Sequence, residues 1–358
     1  MCAIFKKEMK QDITERYRKL NESYQKKLIF RTGIDAGFFA EYTYMLNAML
    51  YCLVNKIQFK LYSADANYGF SKGWTDYFLP FCEEVDDAFH KKWNRHAIPS
   101  YKKILNTCIC QRSLNMLKWK IKLDIYTKIA HLKAKNIYGE AVLLNSDVQF
   151  NHHQYFYIPE LDIDGDYIHA FKKMVEITWN FNSLLVEQIK YYKDFICLPD
   201  HYIGIQVRGG DKITEVGLLS PKFFVDRLKQ ISENHIFVLT DDYRLFEELQ
   251  SFSPNKQWYT LCSPDEKGYV NSKFIQSKAL DKQKQMIRFL VSMQLLLSAD
   301  TFMGSITPGP SLFVLKNKYP NCIPIDCMLE QLKVAATLPI AGRGDMANRY
   351  LQELVYND

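Results

Sequence analysis

Between Tyr202 and Glu215 the chain reads YIGIQVRGGDKITE. An apolar run suited to a buried strand ends in an arginine, two glycines, an aspartate, a lysine and a glutamate. Arg208 offers a planar fork of donors that matches phosphate oxygens. Gly209 and Gly210 permit positive φ and let backbone approach a bulky anion with no Cβ in the way. Glu215, or Asp211 as second choice, can take a proton from a hydroxyl, and Lys212 can orient and keep that carboxylate ionised. The plainer alternative is a solvated turn in which Asp211 pairs with Arg208 or Lys212.

The elements around the loop decide where it lies. The chain opens with a polar amphipathic helix to about Lys27, and KLIFRTG, AGFFAEYTYMLNAMLYCLV and IQFKLYS then read as strand, buried helix and strand. A lysine-rich helical region containing LNMLKWKIKLDIYTKIAHLKAKN precedes a short strand in AVLLNSD. The second half repeats the alternation. A helix through ITWNFNSLLVEQIKYYKDF leads to the strand YIGIQV, and HIFVLTDD, QWYTLC, TFMG and CIPID follow as strands with helices between them. Strands alternating with helices twice over predict two Rossmann-like, doubly wound α/β domains facing a central cleft. Ligands of such sheets lie outside the carboxyl ends of the strands, which is where Arg208 to Glu215 fall.

Three stretches carry a family resemblance. IGIQVRGGDK resembles the first motif of the α1,6-, α1,2- and protein-O-fucosyltransferase superfamily. VLTDD, from Val238 to Asp242, is similar to the second, and LLLSADTFMGSITPGPSLF is similar to the third. Their order is kept across roughly Tyr202 to Leu315, and the match is nearest to the core α1,6 type, where Lys and then Thr-Glu follow the aspartate. The resemblance implies a GT-B fold with residues 1–175 as the acceptor-side domain, 176–330 as the nucleotide-sugar domain and 331–358 as a C-terminal helical segment. It implies an inverting, metal-independent transferase moving L-fucose from GDP-fucose to a glycan hydroxyl, with no cofactor. Arg208 would hold the diphosphate, Lys212 and Glu215 match the family's lysine and proposed base, and Asp241 and Asp242 match the second-motif aspartates. Gly304, Ser305 and Thr307 match the third-motif loop. The family's leading histidine is Gln206 here, its second arginine is Gly209, and the helix position of a guanine-reading aspartate falls on Ser292. A GT-B or GT-A transferase using a different nucleotide-sugar, or a non-catalytic relative that binds nucleotide or glycan, is the alternative.

Composition fits this reading. With 358 residues, 47% hydrophobic and 24% charged, the chain is a folded protein long enough for two cores. A net charge of +6 suits an anionic small ligand and is modest for nucleic acid, which is not expected as a partner. The 9 cysteines show no CxxC spacing and read as reduced thiols of a cytoplasmic protein. DIDGD, from Asp162 to Asp166, is either a metal-binding pair or, more simply, an aspartate-glycine turn. His152 and His153 are adjacent and expected to point apart. Lys118 to Lys135 reads as a solvated helix face or as a peripheral contact with an anionic membrane. RGD at Arg343 to Asp345 is taken as chance.

Overall fold

The computed structural model describes residues 2–33, 36–86, 142–144, 148–210 and 220–357, with isolated positions between 105 and 125. The fold is α/β. It divides into two compact units, one of Met1–Gln149, Ile158–Asp162 and Glu176–Thr178, the other of Phe150–Tyr157, Ile163–Val175 and Trp179–Asp358.

In the first unit, β1 (Lys26–Arg31), β2 (Ile57–Tyr62) and β3 (Val142–Leu144) form a parallel sheet in the order β2-β1-β3. Leu28, Ile29 and Phe30 of the central strand are all buried, so β1 is apolar on both faces. Helix Phe38–Val54 supplies the crossover between β1 and β2. Asn21, at the end of helix Cys2–Glu22, accepts from the Phe59 N–H at 2.7 Å and donates to the Phe59 carbonyl at 2.9 Å. That pair of bonds satisfies the outer edge of β2 and seats the helix on it. A four-residue N–H cradle follows β2. The Asp76 carboxylate accepts from Phe70, Ser71, Lys72 and Gly73 at 2.8 to 3.0 Å, so the chain fills this anion-shaped nest with its own side chain.

After β4 (Tyr155–Ile158) and β5 (Ile163–Asp166), which pair as a two-stranded sheet, the second unit is built on a five-stranded parallel sheet. Its strands are β6 (Ile203–Gln206), β7 (His235–Leu239), β8 (Gln257–Thr260), β9 (Thr301–Gly304) and β10 (Cys322–Pro324), in the order β10-β9-β6-β7-β8. The winding starts at β6, runs outward to β8, then returns past β6 to β9 and β10. The direction therefore reverses between β6 and β9. Alternation along β6 sorts the two faces. Ile203, Ile205 and Val207 pack with Phe224, Val225 and Leu228 of helix Pro221–Leu228 and with Phe246 and Leu249 of helix Tyr243–Phe252. Gly204 faces the other way, and a Cβ there would come within 3.0 Å of Leu296 and 3.1 Å of Ala299 at the end of helix Ala279–Ser298. The glycine lets that long helix lie directly on the central strand.

Two expectations are corrected. ITWNFNSLLVEQIKYYKDF is not one helix: helix Tyr167–Thr178 ends, and Ser183–Phe195 begins anew because the Asn182 side chain accepts from Leu185 N–H at 3.1 Å. DIDGD is a turn only at Asp162, whose φ is +53°, since Ile163–Asp166 forms β5. Its carboxylates are spent apart. Asp162 pairs with Arg16 at 2.8 Å, Asp164 accepts from the Tyr155 hydroxyl, and Asp166 caps a helix and pairs with Lys333 at 2.7 Å. The lysine-rich stretch from Lys118 to Lys135 falls largely outside the described residues. Among the described residues no helix is long and apolar enough to cross a membrane.

Candidate functional site

The carboxyl ends of β6 and β9 form the topological switch point of the five-stranded sheet. Gln206 of β6 and Gly304 of β9 are register partners, so the first-motif loop and the third-motif loop leave the sheet side by side. In doubly wound sheets this is where ligands bind.

On the β6 side, Val207 N–H donates to the Leu239 carbonyl, which carries the sheet pairing one residue past the strand. Arg208 is half-buried, with its guanidinium carbon 6.0 Å from the centroid of the Tyr269 ring. Gly209 N–H donates to Asp241 Oδ1 at 2.7 Å, and Tyr269 N–H donates to Asp241 Oδ2 at 3.0 Å. One carboxylate thus ties two loops together. Gly210 has φ +71°, and a Cβ on it would sit 2.6 Å from the Tyr269 carbonyl oxygen and 2.8 Å from Asp241 Oδ2. At Gly209 a Cβ would lie 2.8 Å from Asp242 Cβ. The glycine pair is therefore required by packing within the protein, and the Gly209 amide is committed to Asp241. That corrects the expectation that both glycines leave open backbone for an anion.

Both second-motif aspartates are already engaged. Asp242 caps helix Tyr243–Phe252 and accepts from Arg244 N–H at 3.1 Å, from Arg244 Nε at 2.9 Å and from Arg244 Nη2 at 2.5 Å. The Arg244 hydrogen bonds hold its carboxyl below the usual carboxylate range. Ser292 is buried on helix Ala279–Ser298 and gives its hydroxyl to the Arg288 carbonyl at 2.9 Å. Arg288 in turn pairs with Glu266.

On the β9 side the loop is held by residues from two later elements. Asp326, two residues past β10, accepts from the Ser305 hydroxyl and from Ile306 N–H at 2.9 Å. Burial pushes its carboxyl upward against these bonds. The Ser305 and Thr307 hydroxyl oxygens are 3.0 Å apart. Arg343 Nη1, from helix Ile340–Asn357, donates to the carbonyls of Ile306 at 2.9 Å and Thr307 at 3.4 Å. Helix Gly309–Lys318 starts immediately after, so its first-turn N–H groups lie at the same end of the sheet.

Among the described residues, Gln206 Oε1 and Ser311 Oγ are buried at this point with no hydrogen-bond partner. Gln206 is 5% exposed and Ser311 is 0% exposed. A Cβ on Gly304 would fall 2.2 Å from Ser311 Oγ, so the glycine makes room for the serine hydroxyl behind the strand end. Buried polar atoms are nearly always satisfied in folded proteins, so two together at a switch point mark a place where a ligand or water supplies the missing bond.

Of the sequence-predicted site residues, the fold brings Gln206, Arg208, Gly209 and Gly210 beside Gly304, Ser305 and Thr307, with Asp241 and Asp242 supporting the first loop. Asp211, Lys212 and Glu215 lie outside the described residues. Sequence reasoning missed Tyr269, Ser311, Asp326 and Arg343. Asp326 could have been found, because CIPID ends a strand and its aspartate falls at the carboxyl edge next to β9. Arg343 stood out only as the start of RGD, taken as chance, because nothing local ties an arginine of helix Ile340–Asn357 to the Ile306 and Thr307 carbonyls. His152 and His153 do not point apart: their ring centroids are 3.9 Å from one another. Among the described residues no group of three or more His, Cys, Asp or Glu side chains is arranged to hold a metal.

No family model and no curated protein matches the sequence. Among solved structures, the chain is similar to fucosyltransferase NodZ from Bradyrhizobium at 12% identity and TM-score 0.46, covering 82% of this chain and 93% of that one. It is similar to a mutant of Arabidopsis thaliana FUT1 in complex with GDP at 12% identity and TM-score 0.46, covering 86% and 71%. A third similar structure is POFUT1 in complex with GDP, at 11% identity and TM-score 0.43, covering 84% and 98%.

Proposed function

We propose that this chain is an inverting glycosyltransferase that binds a nucleoside diphosphate sugar at the β6/β9 switch point, with GDP-fucose as donor and a glycan hydroxyl as acceptor. The observation that carries the reading is the Gln206–Gly304 pairing, which sets an arginine-bearing loop beside a hydroxyl-bearing loop and a helix N-terminus. The choice of GDP-fucose rests on the three sequence motifs.

In the proposed reaction the acceptor oxygen attacks the anomeric carbon and its proton passes to Glu215. The bond from that carbon to the diphosphate breaks, with the electron pair leaving on GDP. Arg208, the Thr307 side of the second loop and the first turn of helix Gly309–Lys318 meet the charge that develops on the leaving group. One well-placed donor of this kind is worth about 3 to 4 kcal/mol of barrier. General-base help from Glu215 is worth on the order of 100-fold in rate. Attack opposite the leaving group inverts the anomeric centre.

The test is hydrolysis and transfer of GDP-fucose by the purified protein in EDTA. Turnover that survives EDTA and is lost in Glu215→Gln supports the reading. A protein that binds the donor but never cleaves it is a non-catalytic relative, and near-normal turnover in Glu215→Gln removes the assigned base.

A further inference from the structure

The Ser305–Thr307 loop is gripped by two side chains of opposite charge, Asp326 on N–H and hydroxyl groups and Arg343 on carbonyls. We propose that Arg343 is a positioning residue for anion binding: it draws the Ile306 and Thr307 carbonyl oxygens back from the switch point and leaves the positive ends of the loop and helix dipoles toward a diphosphate. The inference rests on the nucleotide-sugar reading of this site.

A peptide unit is planar, with its C=O and the next N–H pointing in opposite directions. With the Ile306 carbonyl turned onto Arg343, the Thr307 N–H must point away from Arg343, where its one bond among the described residues is a 3.2 Å contact to Ser305 Oγ, the hydroxyl that Asp326 holds. With the Thr307 carbonyl also turned onto Arg343, the following peptide belongs to Pro308, which has no N–H to present. Pro308 is the N-cap of helix Gly309–Lys318, so the dipole of that helix begins at once. Released from Arg343, the same two carbonyls are free to swing forward and place partial negative charge against a phosphate. Arg343 also adds its own positive charge behind the loop, beside the buried Asp326. Since Arg343 comes from helix Ile340–Asn357, the C-terminal helix becomes part of the binding apparatus without touching the ligand.

The experiment compares pyrophosphate, GDP and guanosine binding by calorimetry in wild type, Arg343→Met and Arg343→Lys. A hydrogen bond to a charged group is worth enough for about a 10-fold change in affinity. Arg343→Met should weaken GDP and pyrophosphate by about that factor and leave guanosine within about two-fold, and Arg343→Lys, which keeps the charge, should fall between. A loss equal for GDP and guanosine makes Arg343 merely structural and overturns the proposal. Unchanged affinities in both variants overturn it as well, with the nucleotide reading left standing. Wild-type protein that binds neither GDP nor pyrophosphate overturns the nucleotide reading and this role with it. If Arg343→Met does not fold, the same comparison on Arg343→Lys decides, since the lysine must still separate pyrophosphate from guanosine.

Discussion

Asp241 accepts the N–H of Gly209 at 2.7 Å and the N–H of Tyr269 at 3.0 Å, and so fixes the arginine-bearing loop against the loop that follows β8. Arg208 is thereby held next to the Tyr269 ring before any ligand arrives. Preorganisation of this kind is what an electrostatic binding site needs.

The close packing at Gly210 makes it intolerant of a side chain. Gly210→Ala forces a Cβ to within 2.6 Å of backbone at a φ of +71°. It should cost about 1 to 3 kcal/mol in chemical denaturation. It should also reduce nucleotide affinity, because the loop must move to relieve the clash.

Asp242 gives a pH signature. Its folded pKa is lowered, first by the Arg244 side-chain hydrogen bond. The stability it contributes is therefore present above its unfolded pKa, about 3.9, and is lost as pH falls through the lower folded value. Asp242→Ala should cost about 1 kcal/mol at pH 7, as loss of a helix cap does. Denaturation curves of wild type and variant should converge in the acid range below pH 4.

Gln206 separates stability from function. Its Oε1 is buried with no partner among the described residues. Gln206→Met keeps the length and removes the unsatisfied acceptor, so the variant should be as stable as wild type or more stable by about 1 kcal/mol. Nucleotide affinity should fall in the same variant. Thermal melting with and without ligand reads both effects together.

Lys316 is 1% exposed, with Nζ 3.5 Å from the centroid of the Phe171 ring. Burial, and then Arg343, push its pKa well below the ordinary lysine value. The unfolded chain binds the proton more tightly, so wild-type stability rises with pH between the lowered folded pKa and roughly 10.4. Lys316→Met should lack that rise and be more stable at pH 7 by on the order of 1 kcal/mol, with the gap closing above pH 10. The aromatic face that partly compensates the charge limits the gain.

Much of this was legible in the sequence. Alternation of apolar runs located β6, β7, β8, β9 and β10, the rule for carboxyl ends placed Arg208 at the ligand-binding edge, and the family resemblance pointed to Ser305. The break at Asn182 was not legible, because a cap works through one hydrogen bond inside an unbroken helical pattern. The true reason for the Gly209–Gly210 pair was hidden too, since it depends on Asp242 lying against Gly209 and Tyr269 against Gly210, both far along the chain. Local sequence shows that a residue type is unusual, and long-range packing shows what made it necessary.

The central claim is that the β6/β9 switch point binds a nucleoside diphosphate through Arg208. Calorimetric titration of GDP into wild type and Arg208→Ala tests it most directly. Saturable one-site binding by wild type, weakened at least about 10-fold in a folded Arg208→Ala variant, is the predicted result. Equal affinity in the two proteins, or no binding by wild type, would contradict it.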